Sequence, residues 1–89
     1  MNTDDLYDYV KTIKNRSDFV KFVDYLIMDF RGRGAEWENP DLPSFLAGLS
    51  GFATDMDGYY KNMGEDVDVE SISWKMAAEI LLASTVYGN

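Results

Sequence analysis

The chain has 89 residues, 46% of them hydrophobic and 15% aromatic, and carries a net charge of −8. That length sets a single helical domain over residues 1–89, and the composition belongs to a globular chain, not a disordered one. Cysteine and histidine are both absent, which removes disulfides, thiolate metal sites, the commonest general base and the commonest neutral metal ligand.

Thr3 is expected to cap a first helix, with Asp4 and Asp5 in the first turn where carboxylates suit the positive end of the helix dipole. Leu6, Tyr9, Val10 and Ile13 form its apolar face, Lys11 and Lys14 suit its C-terminal end, and Asn15-Arg16 breaks it. Ser17 is expected to cap a second helix that runs to about Arg31. Phe19, Phe22, Val23, Leu26, Ile27 and Phe30 share one face of it, and Asp18, Lys21, Asp24, Tyr25, Met28 and Asp29 the other. Gly32 stands where a left-handed C-terminal residue would end that helix.

Asn39-Pro40 biases the chain into a turn. Asp41 then reads as the cap of a third helix, with Pro43 tolerated in its first turn. Leu42, Phe45, Leu46, Leu49, Phe52, Ala53 and Met56 make a wide apolar face, and no charge occurs from Ser44 to Thr54. Gly48 and Gly51 lie inside this helix, where each glycine costs about 1 kcal/mol relative to alanine. Close approach of a neighbouring helix is the expected compensation. Asp57-Gly58 is expected to end the helix.

A long acidic connection follows from Tyr59 to Ile72. Its alternation Asp66-Val67-Asp68-Val69-Glu70 fits either a short extended piece or an irregular loop. Ser73 to Tyr87 reads as the last helix, with two apolar stripes. One holds Trp74, Ala77, Ala78, Leu81 and Leu82; the other holds Met76, Ile80, Ala83 and Tyr87. A helix apolar nearly all round is buried on more than one side. It is therefore either the centre of a bundle or half of a subunit interface. The fold class is all-α, a compact four-helix bundle with the acidic connection before its last helix.

Charge is uneven along the chain. Residues 1–34 balance six acids with six bases, whereas residues 35–89 carry ten acids and two bases. The excess is densest from Asp55 to Glu70, with six acids and one base. Phosphate neutralisation needs a basic patch, so nucleic acid is not an expected partner. An acidic surface serves solubility and also steers a basic protein. No apolar run approaches the roughly 18 residues of a membrane span. The N-terminal stretch MNTDDLYDYV lacks the apolar core of a signal peptide, so a cytoplasmic location without membrane attachment is expected.

No catalytic or metal-binding pattern is complete in the sequence. A calcium loop started at Asp55 meets Tyr59 and Tyr60 where an oxygen ligand and a glycine belong, and one started at Asp66 meets Ser71 at the glycine position. Asp55 and Asp57 could be paired for acid–base work on spacing alone, but a solvated helix end offers nothing to raise a carboxyl pKa. Serine nucleophiles have no histidine to activate them. No enzyme activity, cofactor or metal is therefore expected.

Several short patterns occur together: Trp37-Glu38-Asn39-Pro40 with Leu42, Phe45 and Leu46; Asp57-Gly58-Tyr59-Tyr60-Lys61-Asn62; and Ser73-Trp74 with Ala78, Ile80, Leu81 and Ala83. The set resembles a bacterial family of short, acidic, single-domain proteins, a domain of unknown function, over about Ser17 to Tyr87. Phe52 stands where that family has a tryptophan, which keeps an aromatic in place. The resemblance implies no activity. Adjacent tyrosines among carboxylates are also similar, as a physical analogy, to the colicin-nuclease immunity proteins.

The expected function is accordingly a protein-binding module that takes a basic partner. Tyr59 and Tyr60 would be its anchors, and Asp55, Asp57, Glu65 and Asp66 its acidic surround. The alternative is a structural or regulatory homodimer joined through Met76, Ile80, Ala83 and Tyr87.

Overall fold

Four α-helices follow one another: α1 (Thr3–Val10), α2 (Arg16–Arg33), α3 (Leu42–Asn62) and α4 (Trp74–Ser84), with one 3-10 turn at Gly34–Glu36. They are seen in a computed structural model that describes residues 3–88, with side chains from residue 5 onward. The capping role expected of Thr3 and the placement of Asp4 lie outside the described side chains. Among the described residues there is no strand.

The last helix is the centre of the molecule. α4 packs against α1, α2 and α3, α1 also packs on α2, and α2 and α3 do not pack against each other. Its two apolar stripes serve two cores. Ala78 and Leu82 join Leu6, Val10, Ile13, Phe22 and Leu26 of the α1–α2 side. Met76 joins Phe52, Met56 and Tyr60 of α3, with Ile80, Ala83 and Tyr87 packed around them. The second stripe therefore packs on the chain's own third helix, with Met76 buried and Ile80, Ala83 and Tyr87 half-buried. Trp74, expected in the core stripe, is 45% exposed and lies against the Phe19 ring at 5.3 Å.

Local chemistry explains where the helices differ from expectation. α1 stops at Val10, because the Thr12 hydroxyl and amide both donate to the Tyr9 carbonyl, at 2.7 and 2.9 Å. Asn15, not Ser17, caps α2: its Oδ1 accepts from the Asp18 amide at 2.8 Å. The Asp18 carboxylate in turn accepts from the Lys14 amide at 3.0 Å. α2 runs through Gly32 to Arg33, whose guanidinium is held by Asp29 one turn back, Nη2 to Oδ1 at 3.0 Å. Asp29, expected on the solvent face, is buried, and its Oδ2 accepts from Trp37 Nε1 at 2.8 Å.

Asp41 caps α3 as expected, accepting from the Ser44 amide at 2.9 Å within a reciprocal capping box. The helix does not end at Asp57-Gly58 but continues to Asn62. Gly64, with φ +73°, supplies the left-handed residue that closes it. Its amide donates to the Lys61 carbonyl at 3.0 Å, and the Glu65 amide to that of Tyr60 at 2.9 Å. The connection that follows is irregular. Val67 and Val69 turn inward against the α3–α4 core, while Asp66, Asp68 and Glu70 face solvent. Ser73 caps α4, accepting from the Met76 amide at 3.1 Å.

α4 ends at Ser84, short of Tyr87, where Asn39 takes over its last carbonyls. Gly48 and Gly51 of α3 face this end, as expected of a close helix approach. A Cβ on Gly48 would lie 2.6 Å from Asn39 Nδ2 and 2.7 Å from the Ser84 carbonyl oxygen, and one on Gly51 would lie 3.2 Å from the Tyr87 ring.

Candidate binding surfaces

The residues expected to bind a partner are divided by the extension of α3. Asp55, Tyr59 and Met63 follow at four-residue spacing and share one side of the helix. Tyr60 points the other way, is 1% exposed and belongs to the core, so it has no surface to offer a partner. Its hydroxyl donates to Glu79 Oε1 at 2.8 Å. Burial, then that hydrogen bond, pushes the Tyr60 pKa well above the usual phenol value. Tyr59 is 42% exposed, and its ring meets Phe52 edge-on at 5.3 Å. Its pKa is also raised, by burial first and then by the Glu79 and Glu65 carboxylates.

Asp55 and Asp57, two residues apart on a helix, do not face each other. Asp55 accepts a short hydrogen bond from the Tyr87 hydroxyl, which raises the Tyr87 pKa. Asp57 pairs with Lys61 at 3.2 Å in open solvent, a contact of little energetic weight. Glu65 is half-buried with Lys75 Nζ 3.9 Å away, and Asp66 is exposed. Among the described residues no three carboxylates come together in a way that could hold a metal ion.

Tyr59 and Glu65 do meet in a cleft of about 520 Å3 between α1, α3 and α4. Val10, Phe52 and Leu82 line its floor, and Tyr7, Lys11, Lys75 and Glu79 also line it. Tyr7 comes from the first helix, and burial followed by the Glu38 carboxylate raises its pKa.

A second concavity, of about 350 Å3, lies between α2 and α3. It exists because both helices pack on α4 but not on each other. Trp37 fills part of the gap, its ring 5.0 Å from that of Phe30 and 6.2 Å from that of Phe45. Ile27, Phe30 and Leu42 rise along the groove and are 43%, 46% and 68% exposed, and Leu46, one turn beyond Leu42, is 51% exposed. These residues read as core-facing in the sequence. Only the failure of α2 and α3 to meet exposes them, and the signal open to sequence reasoning was an apolar face on α3 wider than one neighbouring helix can cover.

Architecture and surface together define a small acidic all-α domain with a central final helix and two concave faces. The chain belongs to the family of unknown function DUF7660, which matches residues 15–88. That span includes α2, α3 and α4 and leaves α1 outside it. Neither the curated proteins nor the solved structures contain a match. No helix among the described residues is long and apolar enough to cross a membrane.

Proposed function

We propose that this protein is a non-enzymatic binding module that docks an amphipathic, basic segment of another protein in the α2–α3 groove. The exposed apolar band of Ile27, Phe30, Leu42 and Leu46 carries this reading, because a contiguous apolar surface on a small domain marks an interaction site. Charge complementarity supports a basic partner. The chain carries −8 overall, and Glu36, Glu38 and Asp41 lie in the segment that joins the two groove helices. Asp55, Asp57 and Asp66 are exposed toward the far end of α3 and beyond it, and add to the overall negative field that would steer a basic partner in the manner of an immunity protein. The same proposal takes the cytoplasm as the compartment.

The test compares wild-type protein with Leu46→Asp as bait in lysate, at low and at high salt. Leu46 is half-exposed, so the substitution should leave stability within about 0.5 kcal/mol of wild type. A basic protein held by wild type at low salt, released at high salt and absent from the Leu46→Asp bait supports the proposal. Equal recovery on both baits overturns it. A wild-type dimer by light scattering that becomes a monomer in Leu46→Asp would show that a second copy, not a basic partner, occupies the groove.

A further inference from the structure

The cleft between α1, α3 and α4 shares no lining residue with the α2–α3 groove, and its chemistry is different. Its floor of Val10, Phe52 and Leu82 is buried and apolar, while the Tyr7 and Tyr59 rings are 41% and 42% exposed. The cleft also holds Glu79, a half-buried carboxylate that accepts one hydrogen bond from the Tyr60 hydroxyl. No lysine or arginine among the described residues forms an ion pair with it. Two lysines do line the cleft, but Lys75 is drawn to Glu65 at 3.9 Å and Lys11 is exposed to solvent. The Tyr59 phenol is pushed up first by burial and then by the Glu79 and Glu65 carboxylates, so both carboxylates act at that end of the cleft. Aromatic rings beside a carboxylate that has no direct ion pair, above an apolar floor, suit a cation attached to hydrocarbon.

We propose that this cleft binds an alkylammonium group, with its charge against Glu79 and the Tyr7 and Tyr59 rings and its hydrocarbon over Val10, Phe52 and Leu82. At about 520 Å3 the cleft has the size of a small-molecule site. The ligand is a free aliphatic amine or the lysine side chain of another protein, which present the same chemistry. The site stands whether or not the α2–α3 groove docks a partner.

The experiment is an NMR titration with four probes: hexylammonium, hexan-1-ol, hexanoate and a short end-blocked peptide with a central lysine. Saturable shifts at Tyr7, Tyr59 and Leu82 are expected with hexylammonium or with the peptide, and the tighter of the two names the source. Glu79→Gln keeps an acceptor for Tyr60 and should weaken binding about tenfold or more. Tyr59→Leu, at a half-exposed position, provides a second variant and should also weaken it several-fold. Hexanol binding as tightly as hexylammonium would reduce the cleft to an apolar pocket and overturn the proposal. So would tighter binding of hexanoate, the absence of saturation with both cations, or affinities unchanged in both variants.

Discussion

Asn39 closes the end of α4 from 45 residues away in sequence: its Nδ2 lies 2.9 Å from the carbonyl oxygen of Ser84. The same nitrogen is 2.9 Å from the Tyr87 carbonyl oxygen, and the Asn39 amide donates to the Thr85 carbonyl at 2.9 Å. One 3% exposed side chain thus satisfies two acceptors at the helix end, of which that of Ser84 is buried. Asn39→Ala should lower unfolding free energy by about 1–3 kcal/mol, since it leaves buried carbonyls without a donor. Asn39→Asp should cost more, because it turns an acceptor and a charge toward those carbonyls. Urea denaturation measures both, and a loss under about 0.5 kcal/mol for both variants would show that Asn39 does not hold this end.

Gly48 and Gly58 make a matched pair. Alanine is the better helix former at either by up to about 1 kcal/mol. A Cβ at Gly58 meets nothing within 4 Å, so Gly58→Ala should stabilise the protein by about that amount. At Gly48 the new atom would fall 2.7 Å from a backbone oxygen of α4, and Gly48→Ala should be net destabilising by about 1–3 kcal/mol. Thermal melts of the two variants that move in the same direction would refute the close approach.

Tyr60 sets an alkaline limit. Its folded pKa lies above the unfolded phenol value of about 10, so the fold favours the neutral hydroxyl. The associated stability is complete below about pH 10 and is lost as pH rises from there toward the folded pKa. The urea midpoint should therefore fall on raising the pH past 10, with phenolate absorbance appearing as the protein unfolds. Tyr60→Phe should flatten part of that slope, and at neutral pH it should cost about 0.5–1.5 kcal/mol for the lost bond to Glu79. A slope unchanged in Tyr60→Phe would assign the alkaline transition elsewhere.

Met76 distinguishes a core residue from a subunit contact. It is 5% exposed against Phe52, Met56 and Tyr60. Met76→Ala should cost about 2–5 kcal/mol of stability and leave the molecular mass by light scattering unchanged. A change of mass without a change of stability would restore the interface reading of the second α4 stripe.

What could be read before folding was what depends on neighbours in sequence. The Asp41 cap, the two stripes of α4 and the close approach at Gly48 all follow from spacing and propensity. The C-terminal turn of α3 was misread because Gly58 looked like a stop. The burial of Met56 and Tyr60 on either side of Gly58 outweighs one exposed glycine, and Gly64 supplies the real stop six residues later. The burial of Asp29 depends on Trp37 Nε1 swinging back over α2, and that of Asn39 on α4 arriving from far along the chain. The groove was invisible for a different reason. It is the space between two helices that both prefer a third.

That α4 alone touches all three other helices, and is also the last of them to be made, has a consequence during translation. While α4 is still in the ribosome, α3 has no surface on which to bury Phe52, Met56 and Tyr60, and Phe22 and Leu26 lack their Ala78 and Leu82 neighbours. Until that helix emerges, α1 and α2 have only each other to pack on and α3 has nothing, so the apolar residues of both halves of the core stay open to water.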